Sequence, residues 1–180
     1  MKTNHQEIVI SGVGGQGVLF MTRLLAEAAI DKGLNVFTSE THGMAQRGGT
    51  VLSHLKVGDF KSPLIRPGNA DGLLVLASEN IVQHGGYAKE NGFAVINASA
   101  DVEGVSLTKH IVDANKVAAE IGIPKAVNVV LLGYALGVLS SSGLFCTKDD
   151  IMKVMDDRLS GNQKLMASSK KAFMAGFELS

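Results

Sequence analysis

The chain has 180 residues, 46% of them apolar, with 17 lysines and arginines against 17 aspartates and glutamates. That is enough chain for one full-sized core and too little for two comfortable domains, and the balanced charge excludes a global field that would draw it to nucleic acid or an anionic membrane surface. The one cysteine, Cys146, excludes an internal disulfide, argues against a cysteine-ligated cluster or structural zinc site in this chain, and points to a reducing compartment.

The N-terminus, MKTNHQEIVISG, has an apolar run too short for a secretory signal, so a cytoplasmic location is expected. Glu7 to Ser11 is a β-branched run that ends in a glycine cluster and predicts a buried strand leading into a turn. From Gly17 to Lys32 the apolar residues Val18, Leu19, Met21, Leu24, Leu25, Ala28 and Ala29 recur at helical spacing, and Gly33 stands where a C-terminal cap belongs. Leu34 to Ser39 predicts a second strand and Thr50 to Val57 a third, with Val51, Ser53, Leu55 and Val57 sharing one face. Gly58, Asp59, Pro63 and Pro67-Gly68-Asn69 punctuate a loop, after which Gly72 to Ala77 (GLLVLA) reads as a central strand.

Ile81 to Glu90 is assigned a short helix, weakened by Gly85 and Gly86, and Gly92 to Asn97 another strand. A short strand over Lys109 to Val112 precedes a helix from Ala114 to Ile121 that stops before Pro124. The longest apolar stretch, Val127 to Leu139, falls short of the roughly 20 residues that span a bilayer and predicts a buried helix starting near Lys125. Thr147 with Asp150 resembles a capping box for a helix from Lys148 to about Leu159; Gly161 and Asn162 break it, and a final amphipathic helix carries Leu165, Met166, Ala172, Phe173 and Phe177. The expected fold is α/β: a three-layer α/β/α arrangement around a mostly parallel, mixed, Rossmann-like sheet, as a single domain over residues 1–180.

GVGGQG fits G-x-G-x-x-G at Gly12, Gly14 and Gly17, between strand and helix. Such a turn lets backbone N–H groups at a helix N-terminus face an anion, and Gly15 adds further backbone access. The competing reading is that the glycines only let helix and strand pack closely. A dinucleotide site also needs an acid ending the second strand; Glu40 is the one candidate, a few residues late. No phosphate-loop lysine motif is present.

The segment SETHGMAQRGGTVLSH, residues 39–54, concentrates polar chemistry between two strands. His42 and His54 lack metal-ligand spacing, and no nucleophile elbow exists. Arg47 offers a bidentate fork beside the open backbone of Gly48 and Gly49, with Gln46 and His42 as further hydrogen-bonding groups, which suits anion or partner recognition; an ordinary solvated loop remains the alternative. His5, His84 and His110 each stand alone in the sequence.

GVGGQGV, SETHGMAQRGGTVLSHLKVG, NVVLLG and KKAFMAGFE, in that order, together resemble the gamma subunit or domain of 2-oxoacid:ferredoxin oxidoreductases, and the second block is similar to the small subunit of the indolepyruvate type. The resemblance implies a part in an enzyme that decarboxylates a 2-oxoacid on thiamine diphosphate and Mg, passes electrons through iron-sulfur clusters to ferredoxin and delivers the acyl group to coenzyme A. Those cofactors are expected on a larger partner subunit, with coenzyme A as a possible shared substrate, no catalytic or metal-ligating residue on this chain, and self-association into a homodimer when the chain is isolated. Carried over as cofactor-facing or partner-facing positions are Gly12, Gly14, Gly15, Gln16 and Gly17 as a backbone platform, and His42, Gln46, Arg47, Gly48, Gly49, Ser53 and His54 as loop residues. A free-standing NAD- or flavin-binding Rossmann-like protein is the alternative.

Overall fold

The run EIVIS lies within strand β1, Gln6–Val13, which sends Ile8 and Ile10 to one apolar cluster and Val9 to another on the opposite face. A computed structural model describes this strand and the rest of residues 5–42, 49–103, 106–141 and 143–180. Helix α1, Val18–Asp31, follows the glycine turn and stops at Lys32 and Gly33, whose φ of 72° is the left-handed backbone expected of a glycine stop.

The chain then forms β2, Val36–His42, and β3, Thr50–Val57. Only a short connection separates them, too short for a crossover, so β3 turns back antiparallel to β2 and enters the sheet between β2 and β1. Strands β4, Ala70–Val75, β5, Ala88–Asn97, and β6, Thr108–Val112, continue from the other side of β1, each parallel to its neighbour. The sheet order is β2-β3-β1-β4-β5-β6. It is a mixed sheet, with the antiparallel pairings confined to β3.

Helix α2 spans only Ile81–His84. The expected helix to Glu90 fails because Gly85 and Gly86 make a 3-10 turn, and Ala88 already pairs with Ala70 at the start of β5. The remaining helices are α3, Ala114–Glu120, α4, Val127–Val138, α5, Lys148–Leu159, and α6, Gln163–Phe177. The capping box of α5 is present: Thr147 Oγ1 accepts from the Asp150 N–H, and the Asp150 carboxylate accepts from the Thr147 N–H.

The two sheet faces are covered unequally. Helices α1, α3, α4, α5 and α6 all contribute to the larger apolar cluster, with Met21, Leu24, Leu131 and Phe173 among its buried side chains. Apolar on all sides, α4 needs a second partner beyond the sheet, and α6 supplies it. Gly133 and Gly176 make that approach possible, because a Cβ on Gly133 would fall on the Phe173 carbonyl and one on Gly176 on the Val130 carbonyl. The opposite cluster, around Val9, Leu52, Leu73 and Ile96, is covered by α2 and by the loop between β3 and β4. Two side chains of β3 hold that loop: Lys56 pairs with Glu7 at 2.8 Å and donates to the Leu64 carbonyl, and His54 accepts from the Ile65 N–H. Among the described residues no helix is long and apolar enough to cross a membrane.

Candidate functional site

The parallel pair β1 and β4 ends side by side, and the glycine turn leaves β1 at that end. Its glycines have different reasons to be there. Gly12 has ordinary backbone angles, but a Cβ would meet Val18 Cγ2 at 2.8 Å and Leu76 Cβ at 3.2 Å, so it serves close packing of α1 on the strands. Gly15 and Gly17 have φ of 94° and 79°, in the left-handed region that favours glycine.

Much of the turn's backbone hydrogen bonding is closed internally. The Val13 N–H donates to Gln16 Oε1 at 2.8 Å, so the Gln16 side chain folds back over the turn, and the Gln16 N–H donates to the Val13 carbonyl. The Gly14 N–H donates to the Gly49 carbonyl at 2.9 Å, which ties the turn to the first residue described after the polar connection. Among the described residues, the N–H groups of Gly15 and Gly17 have no hydrogen-bond partner. They lie beside an open cleft of about 480 Å³ bordered by Gly14, Phe20, Arg23 and Val51. A left-handed glycine turn with free N–H groups at a helix N-terminus, next to an arginine, can accept an anion or a partner's carbonyl groups.

Ser53 and His54 are strand residues, not loop residues, and as neighbours in β3 they point to opposite faces. Ser53 is fully buried, its Oγ 2.9 Å from Thr22 Oγ1, which is itself 3.0 Å from the Val18 carbonyl, so it secures the first turns of α1 to the sheet. His54, 2% exposed, packs edge-on against Tyr87 and anchors Ile65 on the other face. Burial, then the Lys56 ammonium and His84, hold its imidazole below the usual histidine range. Both are buried within the sheet rather than displayed for a ligand or partner. His42 enters the description only as the last residue of β2, and Gln46, Arg47 and Gly48 lie outside the described residues.

Ser11, Asn80 and His84, none of them among the candidate site residues, support the turn from within. Asn80 Nδ2 donates to the Gly12 carbonyl at 2.9 Å and to Ser11 Oγ at 3.1 Å, and Ser11 Oγ lies 2.7 Å from His84 Nδ1. Burial also lowers the pKa of His84. A serine beside a histidine invites a nucleophile reading, but Ser11 is 1% exposed and His84 5%, so no substrate reaches the hydroxyl. The trio is a buried brace for the turn. A signal for it existed: Asn80 follows the C-terminal end of β4, where adjacent parallel strands bring their polar ends together.

Glu40 does not complete a dinucleotide site. It pairs with Ser53, and β3 stands between it and β1, whereas a ribose-binding acid needs the strand next to the glycine turn. Among the described residues no group of three His, Cys, Asp or Glu side chains gathers to hold a metal, and Cys146 is buried just before the cap of α5.

Residues 7–179 match the pyruvate ferredoxin/flavodoxin oxidoreductase family. The indolepyruvate oxidoreductase subunit IorB of Archaeoglobus fulgidus is 32% identical over 174 residues, covering 84% of this chain and 87% of that protein. The pyruvate synthase subunit PorC of Methanothermobacter thermautotrophicus is 32% identical over 161 residues, 86% of each. A crystal structure of the gamma subunit of a keto/oxoacid ferredoxin oxidoreductase from Geobacter sulfurreducens superposes with a TM-score of 0.78 at 25% identity, covering 96% of both chains.

Proposed function

Because this chain belongs to the pyruvate ferredoxin/flavodoxin oxidoreductase family, we propose that it is the non-catalytic small subunit of an indolepyruvate- or arylpyruvate-type 2-oxoacid:ferredoxin oxidoreductase. In this reading residues 1–180 form one gamma-type domain in the cytoplasm. It completes a complex that oxidatively decarboxylates a 2-oxoacid to an acyl-coenzyme A and reduces ferredoxin. The observation that carries the reading is similarity to a small indolepyruvate oxidoreductase subunit along most of both chains.

Thiamine diphosphate, magnesium and the iron-sulfur clusters are assigned to a larger partner subunit. The donor set of this chain does not fit a four-cysteine cluster, since its one cysteine is buried, and its sequence has no G-D-G motif for a metal-bound diphosphate. The contribution of this chain is a contact edge: Gly12, Gly14, Gly15, Gln16 and Gly17 with Gly49, extended by His42, Gln46, Arg47 and Gly48, with Ser53 and His54 buried in the adjoining strand β3. That edge meets the partner subunit or its coenzyme A substrate, and the same surface would pair two copies when the chain is isolated. The free N–H groups of Gly15 and Gly17 support this reading, and the separation of Glu40 from β1 disfavours the NAD or flavin alternative.

Co-expression with the large subunit tests the proposal. Reduction of ferredoxin or a dye by 2-oxoacid and coenzyme A is expected to require both chains, and undiminished activity from the large subunit alone would sink it.

A further inference from the structure

The sheet ends on β2, and among the described residues no strand lies beyond it. A terminal strand presents backbone N–H and C=O groups that nothing in the sheet satisfies, and proteins ordinarily guard such an edge with lysine, proline, a bulge or a short length. Strand β2, VFTSETH, has none of these: it runs in unbroken register with β3, contains no proline or lysine, and draws four of its seven residues from β-branched and aromatic types. Phe37 is 38% exposed, and Thr38 and Thr41 are exposed as well. The opposite edge is guarded: β6 has only five residues, and its Lys109 bonds the Asp101 carboxylate and the Val102 carbonyl in the loop before it.

The sequence of β2 is complementary to itself in one register. Directly opposite residues of an antiparallel pair share a face, so two copies related by a two-fold axis must centre on a residue and not between two. Centred on Ser39, all seven residues find partners: Val36 stands opposite His42 of the second copy, Phe37 opposite Thr41, and Thr38 opposite Glu40. The one acid of the strand then meets a threonine, and the aromatic ring meets a β-branched residue, a favourable cross-strand pair. A register centred on Glu40 sets two carboxylates opposite each other, and one centred on Thr38 leaves Thr41 and His42 beyond the end of the second strand.

We propose that β2 pairs edge to edge with β2 of a second copy, antiparallel about Ser39, so that one sheet runs through both chains. A second copy is the occupant that the strand itself specifies, because it brings the same seven residues in reverse order with no like charges opposed. Pairing satisfies the open backbone groups of β2 and covers part of Phe37. The inference rests on the reading that isolated copies pair along the edge that includes His42, and it gives that pairing its element and register.

Light scattering and sedimentation on the full chain, with cysteine cross-linking, test this. The chain is expected to dimerise as its concentration rises. Opposed Cα atoms in such a pair lie about 4.5–5.5 Å apart, within the roughly 4.4–6.8 Å that a disulfide spans, so Ser39→Cys is expected to give a disulfide-linked dimer on mild oxidation. The wild type, whose one cysteine is buried, and Thr38→Cys, which stands opposite Glu40 rather than itself, are expected to stay unlinked. Thr38→Glu, at an exposed position, opposes like charges twice and is expected to weaken dimerisation by about tenfold or more, whereas Thr38→Lys, opposite Glu40, keeps it. A chain that stays monomeric overturns both the proposal and the self-pairing on which it rests. A dimer that Ser39→Cys does not link, or that Thr38→Cys links equally, overturns the β2 pairing alone. Equal dimerisation of Thr38→Glu and Thr38→Lys would overturn it too, and those two variants still decide should Ser39→Cys fail to fold.

Discussion

Replacing Asn80 by alanine isolates the brace under the glycine turn. Asn80 is 6% exposed, and its Nδ2 is the donor to both the Gly12 carbonyl and Ser11 Oγ. Ser11 keeps His84 after the change, but the buried Gly12 carbonyl loses that side-chain donor, a loss of about 1–3 kcal/mol for a desolvated acceptor. Truncation also leaves a small void beside Gly12. The expected loss is about 2–3 kcal/mol, or about 4–12 °C in Tm for a chain of this size, measured by urea unfolding and calorimetry. Asn80→Asp separates hydrogen bonding from packing, since it keeps the volume and places an acceptor where a donor stood, facing a carbonyl oxygen. It should therefore be at least as damaging as alanine at neutral pH, and should recover part of the loss at a pH low enough to protonate the carboxyl. In the assembled complex both variants should weaken association with the large subunit. An alanine variant within about 0.5 kcal/mol of wild type, or an aspartate variant milder than alanine at neutral pH, would refute the brace.

Gly133→Ala and Gly176→Ala each drive a methyl into a backbone carbonyl of the facing helix, which cannot rotate away as a side chain can, so each should cost about 1–3 kcal/mol by chemical denaturation; neutral variants would show that α4 and α6 do not depend on glycine contact. His54 and His84 both have folded-state pKa values lowered chiefly by burial, so they stay neutral in the fold while the unfolded chain takes up protons near 6.5. Stability should be complete above about pH 6.5 and fall as the pH drops toward the folded values, with a lower urea midpoint at pH 5.5 than at 7.5. A double His54→Gln, His84→Gln variant should flatten that slope, and an unchanged slope would assign the effect to other groups.

Local signals wrote much of this protein into its sequence. The β-branched run of β1, the 3.6-residue periodicity and glycine stop of α1, the alternation of β3 and the reciprocal Thr147–Asp150 cap each depend on residues within a few positions of one another, and each appears where those residues put it. The glycine turn was equally legible, and the family resemblance rested on it together with the polar connection that follows β2. Pairing and depth were not legible in this way. That β3 enters between β1 and β2, taking Glu40 away from the turn, depends on which strand edge is free when a short connection folds back. That Ser53 and His54 are buried on opposite faces of the sheet, that Asn80 and His84 meet Ser11 across some 70 positions of chain, and that α4 is covered by α6 all depend on contacts between residues far apart in sequence. Periodicity reports which face of an element is apolar; only the assembled sheet and helices decide what that face meets.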